Sequence, residues 1–97
     1  MKIFDKASWH ITQGIPPASV IGKLQNVYSF LKQKNLLSEN GLEDIEFGID
    51  ESTSLNENTV TEKGNEFLTQ YYDEVIGLGK EEIFDALEKK YITFLGL

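Results

Sequence analysis

The sequence predicts an all-α fold, a small bundle of about four helices with an extended N-terminal arm. Apolar residues recur every three or four positions in three separate stretches, 19–34, 61–76 and 80–95. Strong breakers separate these stretches, Pro16-Pro17 ahead of the first and Gly77-Leu78-Gly79 between the last two. The chain has 97 residues, 40% of them apolar and 11% aromatic, which suits one domain over residues 1–97 with a single core.

Residues 3–11 set Ile3, Ala7, Trp9 and Ile11 against Lys2, Asp5, Ser8 and His10, the pattern of a short strand or of an extended arm laid over the core. Gln13-Gly14-Ile15-Pro16-Pro17 ends that element, because neither proline offers an amide hydrogen and the second restricts the first. The first helix, Ser19 to Lys34, lines up Val20, Ile21, Leu24, Val27, Tyr28 and Leu31, with Lys23, Gln25, Lys32 and Lys34 opposite. Its C-terminal lysines complement the helix dipole, Asn35 stops it, and Leu36-Leu37 carry the turn into the core.

Ser38 caps a second, short helix over Glu39 to Phe47, with acids at the positive end of the dipole and Leu42 and Ile45 inward. Residues 48–58 have no helical period and many turn formers, so they read as a loop. Thr59, with Glu62 three residues on, or Thr61 caps the third helix, whose inner face is Phe67, Leu68, Tyr71, Tyr72, Val75 and Ile76. A fourth runs from Lys80 to about Leu95 with Ile83, Phe84, Leu87, Tyr91, Phe94 and Leu95 inward. No internal repeat, low-complexity tract or long heptad pattern is present.

Charge narrows the function classes. The chain carries −7 overall, and the stretch Ser38 to Glu62 holds eight carboxylates with no lysine or arginine. A negative field held so locally favours basic partners and repels nucleic acid and anionic membrane. All nine cations are lysine, so the bidentate guanidinium fork used at most phosphate and base-reading sites is missing. No segment approaches the ~18 apolar residues of a membrane span and no signal-peptide run follows Lys2, so the chain reads as a cytoplasmic protein. Without cysteine there is neither a disulfide framework nor a thiolate metal site.

Two stretches carry a family resemblance. The first is Asp5-Lys6-Ala7-Ser8-Trp9-His10, followed by a proline break and then Ile21-Gly22 on a helix ending near Leu37-Ser38. The second is Thr61-Glu62-Lys63-Gly64-Asn65-Glu66-Phe67 continuing to Tyr71-Tyr72. Together they resemble an uncharacterised family of small bacterial proteins, a domain of unknown function, over roughly residues 5–76. The position before Ile21, often histidine in that family, is Val20 here, and the stretch between His10 and the first helix is shorter. The resemblance implies a bacterial cytosolic protein and a helical fold, and supplies no mechanism.

Trp9-His10 is the most individual feature. On an extended arm the two side chains point to opposite sides, which sets His10 as an acid or base with Asp5 or Ser8, or as a backbone-bonded residue beside a Trp9 that pins the arm. Asp50-x-Ser52-x-Ser54-x-Asn56 has the rhythm of a calcium loop but puts Leu55 where glycine is needed and Thr61 where a closing glutamate belongs. Gly64 allows a helix or the Trp9 arm to come close, and Asn65 is placed to bond that arm's backbone. Neither metal nor cofactor is expected.

The leading expectation is a non-enzymatic binding module that docks a basic protein partner through Glu43, Asp44, Glu46, Asp50 and Glu51, in the manner of an immunity or antitoxin protein, with Phe47, Ile49 or Leu55 as apolar anchor. The alternative is a small ligand-binding domain or enzyme with a pocket framed by Trp9, His10, Asn65 and Tyr71. A third is a homodimer joined by surplus apolar residues of the fourth helix, Ile92, Phe94, Leu95 and Leu97.

Overall fold

The computed structural model describes residues 1–97 as β1 (Ile3–Lys6), α1 (Ala7–Thr12), α2 (Pro17–Gln33), α3 (Glu39–Phe47), β2 (Ser54–Asn56), α4 (Glu62–Val75) and α5 (Lys80–Phe94). Helices take 63% of the chain, and β1 and β2 form a two-stranded antiparallel sheet, so the fold is mostly helical and not purely α. No helix is long and apolar enough to cross a membrane.

The N-terminal residues depart most from the pattern in the sequence. The extended segment stops at Lys6, and Ala7 begins a helix of six residues that carries Trp9 and His10. Its partner is Ser54–Asn56, inside the stretch expected to be a loop. The pairing is irregular between Ile3, opposite Asn56, and Asp5, opposite Leu55, so two residues of β1 span one step of β2. Such a bulge breaks the alternation of a strand, and here it accompanies the burial of both Phe4 and Asp5.

Pro17 stands at the first turn of α2, where a missing amide hydrogen costs nothing. Asn35 ends the helix in the left-handed region, φ 58°, which asparagine tolerates. The amides of Asn35 and Leu36 bond the carbonyls of Lys32 and Leu31, the paired bonds of a Schellman motif. Ser38 and Thr61 accept from the amides of Gly41 and Gly64, so Thr61 and not Thr59 caps α4.

Two glycines seat these helices on a chain crossing. Residues 36–38 meet 59–61 through a bridge between Leu37 and Val60, with Ser38 amide bonding Thr59 carbonyl and Thr61 amide bonding Leu36 carbonyl. A Cβ on Gly41 would overlap the Thr59 carbonyl oxygen, and one on Gly64 would lie 2.8 Å from that of Leu36. Gly64 thus makes room for the 36–37 segment rather than for a helix or the N-terminal arm.

The core lies where α2, α4 and α5 meet. Phe30, Phe67, Leu68, Ile83, Leu87 and Tyr91 are buried there, and the Phe67 and Tyr91 rings pack edge to face at 5.2 Å. The apolar stripes read from the sequence account for most of it, with Phe30 an addition from the flank of α2 and Leu95 an exposed exception. Lys23, expected on the solvent side, is buried. Leu42, expected to face inward, is 45% exposed.

Candidate functional site

Burial of Asp5 requires partners for every oxygen, because a carboxylate taken from water is stable only when paired and hydrogen-bonded. Three elements supply them. Oδ1 accepts from His10 Nε2 of α1 at 2.7 Å; Oδ2 accepts from the Tyr72 hydroxyl of α4 at 2.6 Å and lies 3.3 Å from Lys23 Nζ of α2. Lys23 Nζ also donates to the carbonyl of Ile76, just past α4. Burial, and then the Asp5 carboxylate, hold the Tyr72 hydroxyl well above the ordinary tyrosine range, so it stays a donor. An ionised carboxylate only accepts, which puts the imidazole hydrogen on Nε2 and leaves Nδ1 as the open edge of the ring.

Above this cluster lies a cavity of about 510 Å³ between α1, α2 and the turn joining α4 to α5. Trp9, Ile15, Val20, Ile76 and Leu78 give it apolar walls, and His10, Lys23 and Lys80 bring nitrogen to it. Trp9 is 44% exposed, so it forms a wall of the cavity and pins nothing to the core. Successive helical residues are about 100° apart rather than opposed, which is how Trp9 and His10 reach one cavity.

Of the four residues expected to frame a pocket, the fold brings Trp9 and His10 together and leaves out Asn65 and Tyr71. Tyr71 packs against Phe67 and Phe94, while its neighbour Tyr72 makes the contact with Asp5. Asn65 leaves its side-chain oxygen buried without a hydrogen-bond partner, and so does not bond the N-terminal segment. His10 bonds the Asp5 carboxylate, neither a backbone group nor Ser8. Sequence reasoning set Lys23 opposite the apolar face and did not connect Tyr72, part of an ordinary core stripe, with Asp5. A lysine within an otherwise apolar arc, one turn before Val27, was the one available signal.

The acidic stretch forms a second region. Around α3, Gly41, Asp44 and Ile45 turn inward while Glu39, Leu42, Glu43, Glu46 and Phe47 are exposed. At about 100° per residue, the exposed five span an arc of roughly 140° with Leu42 at one margin, Phe47 at the other and three glutamates between. Phe47 is 86% exposed. Asp44 differs from its neighbours, since it accepts from the Tyr28 hydroxyl at 2.7 Å. Burial, then that carboxylate, push the Tyr28 hydroxyl far above its usual range.

Asp50 accepts from the amide and hydroxyl of Ser52, which hold its carboxyl below the usual value and commit one of its oxygens to the turn. Glu51 is exposed, Ile49 is partly buried against the core, and Leu55 is fully buried and unavailable as an anchor. On α5, Phe94 packs among the core aromatics while Ile92, Leu95 and Leu97 are exposed. No three His, Asp or Glu side chains converge as metal ligands do.

Comparison with models of known protein families, with curated proteins and with solved structures finds no match to this chain.

Proposed function

We propose that this chain is a non-enzymatic, cytoplasmic protein-binding module whose acidic face, residues 38–62, docks a basic protein. The observation that carries the reading is Phe47, a large apolar side chain left in water at the margin of a glutamate row on α3. An exposed aromatic beside charged groups is the arrangement of a binding hot spot: the ring supplies desolvated area and the charges steer encounter. Leu42 extends the apolar area from the other margin of the row.

Glu43, Glu46 and Glu51 act as steering charges in this reading. Asp50 and Asp44 add to the field while each is also engaged within the chain, Asp44 by Tyr28 and Asp50 by Ser52. The partner is a protein with a basic surface and an apolar notch for the ring, of which a basic toxin or nuclease is one concrete form.

The test is capture of partners at low and moderate salt on three immobilised forms: the native chain, Phe47→Ser, and the triple variant Glu43→Gln, Glu46→Gln, Glu51→Gln. A basic protein held by the native chain should be lost from Phe47→Ser through faster dissociation. It should be captured more slowly by the triple variant, with less dependence on salt. Equal retention of that protein by all three forms would overturn the reading.

A further inference from the structure

The cavity over the Asp5 cluster lies outside the acidic face, and its chemistry is of the opposite sign. No carboxylate lines it, although the chain carries sixteen against nine lysines. Lys23 reaches it already neutralised by Asp5 at 3.3 Å, whereas Lys80 at its mouth has no carboxylate within ion-pair distance. Lys80 is also held in place. Its stem lies over Gly22, where a Cβ would come within 2.9 Å of Lys80 Cδ, and its carbonyl accepts from Asn26 Nδ2 at 2.6 Å.

Two further features point the same way. Gly79, which also lines the cavity, precedes α5 without a capping side chain, and the amides of Lys80 and Glu81 bond nothing in the chain. Those free amides and the positive end of the helix dipole favour an anion at that rim. Glu81 and Glu82, which would oppose it, line a different groove together with Asp85 and Lys89. The rest of the lining suits a flat apolar body: the half-exposed Trp9 ring is a stacking surface, and Ile15, Val20 and Leu78 complete the walls.

We propose that this cavity binds a small aromatic carboxylate, with its ring against Trp9 and its anionic end on Lys80 and the first amides of α5. A lone ammonium and a helix terminus form a point-charge site, without the forked guanidinium that most phosphate sites use, so a compact monoanion fits better than a phosphate. His10, fixed in direction by Asp5, completes the polar part of the lining.

Trp9 is the sole tryptophan, so its indole N–H resonance reports on the cavity alone. The native chain is titrated with 2-naphthoate, with naphthyl phosphate, and with 2-naphthylmethylamine, which carries the same ring and the opposite charge. Naphthoate should shift the Trp9 resonance saturably, the phosphate more weakly, and the amine not at all. Lys80→Gln and Trp9→Ala should each weaken naphthoate binding by about tenfold, the loss of one good contact, with backbone amides of the turn at residues 77–80 as readout for Trp9→Ala. Lys89→Gln, on the exposed side of α5, should bind as the native chain does. No saturable shift at millimolar naphthoate, equal binding of the amine, or an unchanged affinity in Lys80→Gln would each overturn the proposal. Tighter binding of the phosphate would overturn its choice of carboxylate.

Discussion

Asp5 and the glutamates of α3 are the same chemical group in opposite circumstances. Asp5 is fully buried and bonded to three side chains from three helices, whereas Glu39, Glu43 and Glu46 stand in water with no cation within ion-pair distance. A carboxylate in the interior is costly alone, and once paired its removal strands the charges around it. A carboxylate in water contributes little to stability and is free to act at long range. The first therefore holds a fold together beneath a cavity, while the second is available to a partner.

The sharpest way to break this contrast is Asp5→Ala. It leaves the Lys23 ammonium buried with only the Ile76 carbonyl, and removes the acceptor of both Tyr72 and His10. We expect a loss of about 3–5 kcal/mol in urea unfolding. A loss below about 1 kcal/mol would mean that water reaches the cluster and that the two regions do not differ in kind.

The acidic helix has a buried side too, and Gly41→Ala probes it. The added methyl meets the Thr59 carbonyl, a backbone atom fixed by the bond from Ser38, so α3 must shift. A cost of about 2–3 kcal/mol is expected from overpacking, read as a fall in thermal midpoint. An unchanged midpoint would show that α3 floats on the core, and that Phe47 is not presented rigidly.

Tyr72→Phe removes one of the bonds to Asp5 and should cost about 1.5–3 kcal/mol, the range for a hydrogen bond to a charged group. It also changes the dependence on pH. The native hydroxyl keeps its proton where the unfolded chain ionises, near pH ~10. Its contribution is therefore complete below that pH and falls above it by up to about 1.4 kcal/mol per unit, because the unfolded state then binds fewer protons. Tyr28, raised by burial and Asp44, adds a slope of the same sign. Unfolding followed between pH 9 and 11 should thus show roughly half the native slope in Tyr72→Phe.

The smallest effect belongs to the surface. Glu43→Gln with Glu46→Gln should move stability by no more than about 0.5 kcal/mol, since both side chains are exposed and neither makes an ion pair. A larger gain would show that repulsion along α3 strains the free protein, which would sharpen the case that a basic partner relieves it.

Much of this molecule was legible in order along the chain. The helices over 39–47 and 80–94, the cap at Ser38, the break at Pro16-Pro17 and the core stripe of α4 follow from local period and local hydrogen bonding. Helix formation needs only neighbours three and four residues away, so its signal survives in a single sequence. The acidic character of 38–62 was equally plain, because charge is additive along the chain.

The arm and the cluster were decided elsewhere. That Trp9 and His10 sit on a helix follows from β1 pairing with β2, a strand of three residues within a stretch of turn formers. That Lys23 and Asp5 are buried depends on each other and on Tyr72, 67 residues from Asp5. Hydropathy treats each residue by its cost of leaving water, and by that measure both charges belong outside. Only the tertiary structure sets a donor from α1, α2 and α4 against one carboxylate, which cancels the cost and takes two residues of the expected surface inside, Lys23 to line a cavity and Asp5 beneath it.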